Sequence, residues 1–290
     1  MSTHRPVVTR FAPSPTGWLH KGHAWSAWLN ATYAASRGGR FLLRIEDIDP
    51  TRRKPEHVAG IVEDLAWLGL RWETPVRRQG EHMDDYARAL DRLRTDGLLY
   101  PCFCTRAEIA AEIARAGAAP HGPEGPLYPG TCRRLDAAER QARVEAGQPF
   151  AWRLDVAAAV ARTGELHWHD ARAGNIRADP AALGDVVLAR KETPASYHLC
   201  VTVDDALQGV TDVIRGEDLF HATHIHRLLQ AVLGLPTPAY HHHGMLTDAG
   251  GQRLAKRHGA EALRELRARG VTPAEVIAGF DTATMHPTID

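Results

Sequence analysis

The sequence predicts an α/β protein, a parallel sheet with flanking helices interrupted by a small α+β insert. Three observations carry that prediction. Strand, helix and strand patterns follow one another over residues 7–45, the spacing of a right-handed βαβ unit. From Pro101 the texture changes to cysteines and a Gly/Pro-rich stretch, and at Val186 strand and helix patterns resume. The expected organisation is therefore 1–100 for the first half of the main domain, 101–185 for the insert and 186–290 for the second half.

Val7 to Phe11 reads as a short buried strand, and Ala12-Pro13-Ser14-Pro15-Thr16-Gly17 as a loop that proline and glycine keep out of regular structure. Trp25, Trp28, Leu29, Thr32 and Tyr33 recur at three and four residues, which predicts a helix stopped by Gly38-Gly39. Phe41 to Ile45 is the second strand, running into the acidic loop Glu46-Asp47-Ile48-Asp49-Pro50. Val58, Ile61, Val62 and Leu65 mark a second helix, and Tyr86, Leu90 and Leu93 a third. Both stripes read as core faces without chemistry. In the insert, Thr105 and Glu108 make a capping pair, Gly117 to Gly130 is loop, and Ala151 to Asp155 and Glu165 to Asp170 suggest short antiparallel strands. Val186 to Ala189 and His198 to Val203 are expected strands. Val213 to Arg215 feeds a helix with core face Ile225, Leu228, Leu229 and Val232, and Thr272-Pro273-Ala274-Glu275 opens a last one.

Composition narrows the function. The chain has 290 residues, 44% apolar and 24% charged, which suits a globular protein and excludes collagen, coiled coil and disorder. Apolar stretches such as Ala24 to Ala35 are interrupted by Ser26 and Asn30 and are too short to span a bilayer. Met1 to Pro6 leads into the first strand without a cleavable leader, so the expected location is the cytoplasm. Thirty-five Lys and Arg balance 35 Asp and Glu, so a polyanionic partner must be held by a local patch. Arg52, Arg53, Lys54, Arg190, Lys191 and Arg257 are expected near a cleft mouth, against an acidic far side. Of the four cysteines, Cys102, Cys104 and Cys132 favour a metal site over a disulfide framework, and Cys200 reads as core in a strand.

The strongest motif is Arg10-Phe11-Ala12-Pro13-Ser14-Pro15-Thr16-Gly17-Trp18-Leu19-His20-Lys21-Gly22-His23, at the handover from first strand to first helix. A helix N-terminus presents unpaired N–H groups and positive dipole to phosphate. Gly22 lets a nucleotide approach the backbone, and two imidazoles three residues apart lie on one side of the first turn. The segment resembles the signature of class I aminoacyl-tRNA synthetases of the glutamyl and glutaminyl branch, with His20-Lys21-Gly22-His23 as the HIGH element. The resemblance implies a Rossmann-like class I catalytic core in which His20, Gly22 and His23 bind ATP and the two histidines are catalytic.

Arg44-Ile45-Glu46-Asp47-Ile48-Asp49-Pro50-Thr51-Arg52 is also similar to the glutamyl branch, and it lies where ligands of open α/β sheets bind, beyond a strand's carboxyl end. The third match is Ser196-Tyr197-His198-Leu199, then Val203-Asp204-Asp205 and Gly209 to Leu219. The resemblance gives Glu46 the substrate ammonium and places Tyr197, Arg215 and the Arg10, Phe11, Ala12, Pro13, Ser14 segment around L-glutamate. Arg10 and Arg215 are the cations suited to its carboxylates, and the alternative for Arg215 is an ion pair with Glu217 or Asp218. Arg253-Leu254-Ala255-Lys256-Arg257, led by Gly250-Gly251, resembles the KMSKS loop with Arg253, Ala255 and Arg257 as departures. Lys256 is the kept residue expected to reach ATP and act in catalysis.

Cys102-x-Cys104 and Tyr128-x-x-x-Cys132 supply three thiols toward one structural Zn²⁺. The family carries tyrosine at this place, which makes Tyr128 the fourth ligand by resemblance, while His121 is the rival on donor chemistry. The clusters His221, His224, His226 and His241-His242-His243 read as strand-edge or surface imidazoles rather than a second metal site.

Only residues 257–290 follow Lys256, so the anticodon-binding helices of a full glutamyl enzyme are not expected here. The expected function is that of the family's truncated branch. Glutamate is activated by ATP with Mg²⁺ without tRNA, and is then transferred to the queuosine at the wobble position of tRNA(Asp). The chain is expected to work as a monomer, away from membranes. The alternatives are a minimal synthetase charging a tRNA 3′ end, another small nucleotidyltransferase, and a non-catalytic RNA-binding paralogue.

Overall fold

A computed structural model describes residues 6–115, 121–123, 125–246, 261–278 and 280. β1 (Val8–Phe11), α1 (Lys21–Ser36) and β2 (Arg40–Ile45) form the expected parallel βαβ unit, with Phe11 opposite Leu43. α2 (Pro55–Trp67) crosses to β3 (Glu73–Arg78), which completes a parallel sheet in the order β1-β2-β3. α3 (Met83–Thr95) leads to β4 (Leu99–Cys102), α4 (Arg106–Arg115), the two-residue strands β5 (His121–Gly122) and β6 (Gly125–Pro126), and α5 (Ala137–Glu145). β7 (Ala151–Leu154) then pairs antiparallel with β4 and with β10 (Val187–Arg190). Between β7 and β10 lie α6 (Val156–Thr163), β8 (His167–Asp170) and β9 (Gly174–Arg177). The chain continues through α7 (Tyr197–Leu207), β11 (Asp212–Gly216), α8 (Ala222–Leu233), β12 (Ala239–His243), α9 (Leu263–Ala268) and α10 (Pro273–Ala278).

A backbone hydrogen bond at one residue pair helps to join the second parallel set to the first. Thr211 N–H donates to the Val8 carbonyl at 2.9 Å and Val8 N–H donates to Thr211 Oγ1 at 2.8 Å. This contact brings β11 beside β1, so the carboxyl ends of β1, β2 and β11 face one region, where ligands of such sheets bind. One core packs Trp25, Leu29, Leu43, Ile45, Ile61 and Leu65 beneath this sheet. Another packs Tyr86, Leu93, Leu154, Leu188, Leu199 and Leu228. Each such side chain contributes about 1.5–3 kcal/mol by leaving water. Among the described residues no helix is long and apolar enough to cross a membrane.

The structure departs from the sequence reading at several points. His198 to Val203 is not a strand but the body of α7, which Ser196 caps by accepting from the Leu199 N–H. Leu199 through Asp205 are all buried, because α7 is covered by α3 and α8. Residues 199–205 of the helix therefore show no solvent-facing polar stripe, so the sequence imitates a buried strand. Cys200 is core as expected, in a helix. Glu165 to Asp170, expected within the insert, yields β8, and Asp170 pairs parallel with Tyr240 of β12; the main sheet runs β11-β12-β8-β9. Val62 is 38% exposed rather than core, and on α1 the buried face is Ala24, Trp25, Ala27, Leu29, Asn30 and Ala34, with Trp28, Thr32 and Tyr33 half-buried. His241, His242 and His243 are buried in β12 between two strands, neither at an edge nor on the surface.

Candidate active site

His20 is the N-cap of α1 and not a residue of its first turn. Its backbone is extended, and its Nδ1 accepts from the Gly22 N–H at 3.1 Å, while His23 Nδ1 accepts from the His20 N–H at 3.2 Å. With both Nδ1 atoms accepting, the neutral rings carry their protons on Nε2. Gly22 has a structural reason beyond nucleotide approach. A Cβ there would stand 3.0 Å from His20 Cε1, against the ring that caps the helix. The loop before the helix is tied to the acidic motif, since Glu46 N–H donates to the Pro13 carbonyl and Lys54 N–H to that of Pro15. Leu263 N–H donates to Leu19 O at 2.8 Å, which holds the start of α9 beside the helix N-terminus. Lys256 and the rest of the 250–257 loop lie outside the described residues.

Behind the cleft, two arginines converge on one carboxylate. Arg10 Nε and Arg44 Nη1 donate to Asp205 Oδ1 at 3.0 and 2.7 Å, and Arg44 continues to Gln208 Oε1 at 3.0 Å and Glu46 Oε1 at 3.2 Å. Arg10, expected to meet a substrate carboxylate, is thus committed to an internal ion pair, and Phe11 packs in the core. Burial would raise Asp205, but Arg10 and Arg44 outweigh it and hold the carboxyl below its usual range. Glu46 moves the other way, because burial exceeds the pull of Arg44 and Arg10 and raises it. Asp204 is equally central. It accepts from Arg77 Nε and Gln79 Nε2 at 2.7 Å and from the Tyr86 hydroxyl at 3.0 Å, so the α3 stripe does carry polar chemistry.

Arg215, 5% exposed, pairs with neither Glu217 nor Asp218 and has no ion pair among the described residues. Its five N–H groups reach neutral acceptors. Nε donates to His242 Nε2 at 3.1 Å, Nη1 to His226 Nδ1 at 3.3 Å and Tyr197 Oη at 3.4 Å, and Nη2 to Thr223 Oγ1 at 2.6 Å and the Leu219 carbonyl at 3.2 Å. Burial, then the Arg215 charge, keeps His226 well below its ordinary value and His198 at about 4. These histidines and Asp205 were not assigned roles from sequence. The available signal was two acids closing an apolar run and a histidine triplet inside a strand pattern.

A cleft of about 310 Å³ opens in front of this network, lined by Ser14, Glu46, Asp47, Arg52, Arg53, Arg190 and Tyr197 among others. It gathers the first, second and third motifs, with Ser14, Pro15 and Thr16 as the loop residues facing it, and three of the expected basic residues. Arg215 lies behind Tyr197. Lys54 and Lys191 are exposed, and Arg257 lies outside the described residues.

In the 101–185 region, the sulfurs of Cys102, Cys104 and Cys132 lie within 4.8 Å of one another and can hold a metal ion. Tyr128 Oη sits 3.3 Å from Cys102 Sγ and 3.6 Å from Cys104 Sγ, and accepts from the Cys132 N–H at 2.9 Å. Burial pushes the Cys104 thiol up to about 12. The His121 side chain lies outside what the structure describes.

A capped helix start at the carboxyl edge of a parallel sheet, beside a pocket with both charges, is the arrangement of a nucleotide-dependent activating enzyme. Residues 6–288 match the family described as tRNA synthetases class I (E and Q), catalytic domain, and the chain belongs to that family. It is similar to proteins named glutamyl-Q tRNA(Asp) synthetase. The Rhodobacter capsulatus protein is 50% identical over 277 residues, 93% of this chain and 98% of that one, and the Symbiobacterium thermophilum protein is 44% identical over 278 residues, 92% and 83%. The crystal structure of a glutamate-tRNA synthetase from Elizabethkingia anophelis superposes with a TM-score of 0.75 at 28% identity over 88% of this chain. This chain spans 53% of that longer one.

Proposed function

We propose that the chain is a ligase of the aminoacyl-tRNA synthetase type. It activates L-glutamate with ATP, without tRNA, and transfers the glutamate to the queuosine at the wobble position of tRNA(Asp). The observation that carries the amino-acid assignment is Arg215, a buried cation held by neutral acceptors behind the cleft, with the Glu46 carboxylate in the cleft wall. A substrate with an ammonium and a second carboxylate satisfies both. Its side-chain carboxylate replaces the long Arg215 Nη1 to Tyr197 Oη contact, and its ammonium meets Glu46. Names of relatives at 50% and 44% identity support the acceptor.

The glutamate α-carboxylate attacks the α-phosphorus of ATP in line, the bond to pyrophosphate breaks, and glutamyl-adenylate forms. The Nε2–H groups of His20 and His23 and the ammonium of Lys256 stabilise charge on the phosphates, and Mg²⁺ arrives with ATP. A hydroxyl of the queuosine cyclopentene diol then attacks the mixed anhydride, AMP leaves, and no protein nucleophile is required. Of the Arg10 to Ser14 segment, Ser14 lines the cleft, while Arg10 acts from behind it through Asp205 and Phe11 packs in the core.

For the metal, the donor set fits zinc. Sulfurs on a tetrahedral zinc lie about 3.8 Å apart, given bonds of about 2.3 Å, and the three here lie within 4.8 Å with a phenolic oxygen beside two of them. Cys102, Cys104, Cys132 and Tyr128 would hold it, and it would brace the insert within residues 101–185, set between the catalytic halves 1–100 and 186–290, apart from β8 and β9, which join the main sheet. We place the enzyme in the cytoplasm as a monomer. The test is acid-labile incorporation of labelled glutamate into tRNA(Asp) with and without queuosine, alongside glutamate-dependent pyrophosphate exchange into ATP without tRNA. Incorporation only with queuosine is expected. Glutamate on a periodate-sensitive 3′ adenosine of queuosine-free tRNA would overturn the reading.

A further inference from the structure

Asp170 is a buried carboxylate, 1% exposed, and no arginine or lysine pairs with it among the described residues. Its Oδ1 accepts from the N–H groups of Arg172 and Ala173 at 3.0 and 2.9 Å. Its Oδ2 accepts from the His242 N–H at 3.1 Å and stands 2.8 Å from His242 Nδ1. Those donors outweigh burial and keep it ionised, at about 2. An ionised carboxylate only accepts, so the proton of His242 sits on Nδ1 and its Nε2 is the acceptor that meets Arg215 Nε. Asp170 and Arg215, a buried anion and a buried cation, therefore never touch. One imidazole stands between them. Strand alternation explains which histidine it is, since His241 and His243 turn to the opposite face, where His241 Nε2 meets Asp212 Oδ1 at 2.9 Å.

A direct ion pair would fix Arg215 equally well but would cancel its charge toward a ligand. We infer that Asp170 and His242 are positioning residues that lock the Arg215 guanidinium through one imidazole tautomer, leaving its charge to select the side-chain carboxylate of glutamate over the amide of glutamine. The inference rests on the glutamate reading of the cleft. The same logic orients histidine ligands in metal and hydrolase sites, where an outer carboxylate fixes the ring.

The test is glutamate- and glutamine-dependent pyrophosphate exchange by the wild type and by Asp170→Asn, His242→Phe, His242→Gln and His242→Asn. In Asp170→Asn the amide must turn its NH₂ either to His242 or to the N–H groups of Arg172 and Ala173, and the former forces a proton onto Nε2 against Arg215. His242→Phe keeps the ring and removes the acceptor. Both should raise the glutamate KM on the order of tenfold or more, as loss of an outer-shell partner does, with the ATP KM and the kcat at saturating glutamate little changed. The preference for glutamate over glutamine should fall by a similar factor. His242→Gln sets an oxygen where Nε2 stood and should keep the glutamate KM, whereas His242→Asn sets it where Nδ1 stood and should raise it. That pair decides the matter should Asp170→Asn or His242→Phe fail to fold. Glutamate KM values within about twofold of wild type in the folded variants overturn the inference and leave the cleft reading intact. A wild type without glutamate-dependent exchange overturns both.

Discussion

His23 closes with its ring the cap that His20 opens: each Nδ1 takes one backbone N–H, His23 from His20 at 3.2 Å and His20 from Gly22 at 3.1 Å. The two rings thereby meet at 3.9 Å between centroids, tilted by 43° to one another. The H-x-x-H motif does two jobs, and they can be separated. His20→Ala should lose about 1 kcal/mol of stability with the cap. His20→Asn, which retains a capping oxygen, should recover that stability while exchange activity stays down by about 100-fold, the effect of removing one transition-state donor. Thermal melts and exchange assays on the pair check this, and recovery of both together would reduce the histidines to caps.

Asp205 holds two buried guanidinium groups at once, from Arg10 and Arg44. Removing its charge leaves Arg10 without an ion pair among the described residues and Arg44 with Glu46 and Asp204, in a low-dielectric interior. Asp205→Asn should therefore cost about 3–5 kcal/mol in urea unfolding, the range for breaking one side of a buried pair. A loss under about 1 kcal/mol would mean that Glu46 and Asp204 suffice for Arg44.

The βαβ unit, the capping pairs at Thr105 and Thr272, and the helix face of Ile225, Leu228, Leu229 and Val232 were legible because their signals are local: period, cap and turn chemistry. What stayed hidden depends on partners far along the chain. α7 reads as a strand until one knows that α3 and α8 cover it. Likewise, β8 is assigned to the insert until Asp170 is seen opposite Tyr240. Of the residues the motifs named, Glu46 and Tyr197 line one cleft and Arg215 is hydrogen-bonded to Tyr197 behind it. Whether Arg10 meets a substrate or Asp205 is a question of packing across 195 positions of sequence, which no motif encodes.

Metal removal should act on the region around β4 rather than on the cleft. At the proposed zinc site, Cys132→Ser should abolish metal binding, lower the melting temperature and leave the glutamate KM unchanged, measured by metal analysis, calorimetry and exchange. Tyr128→Phe keeps the ring beneath the Arg153 guanidinium, 3.9 Å away, and deletes only the oxygen. It should weaken zinc by roughly tenfold; unchanged affinity would give the fourth corner to another donor.

Stability should fall as the pH drops from about 6.5 toward 4. His198 and His242 are held down to about 4, first by burial, with the Arg215 charge acting in the same direction. Unfolded, each titrates near 6.5, so across that interval the unfolded chain binds more protons and unfolding is favoured as pH falls. Each histidine contributes on the order of 3 kcal/mol at most, fully present above pH 6.5. Asp64, raised by burial to about 6, works the other way over the same range and offsets one of them in part. Urea midpoints at pH 7.5 and 5.0 measure the balance, and equal midpoints would exclude neutral burial of these rings.

Arg52, Arg53 and Arg190 line the same cleft as Glu46 and Tyr197, and Lys191 is exposed beside Arg190. A chain without net charge attracts RNA only where such groups cluster. If they contact phosphates, each releases condensed counterions, and the dependence of affinity on salt reports how many do so. Arg52→Ala, Arg190→Ala and Lys191→Ala should each weaken tRNA binding irrespective of sequence and flatten the slope of log K against log salt by about 0.7–1. Arg177, 74% exposed on β9 at the sheet's far edge, provides the contrast, and Arg177→Ala should leave the slope unchanged. Equal slopes for all four variants and the wild type would move the RNA path away from this cleft mouth.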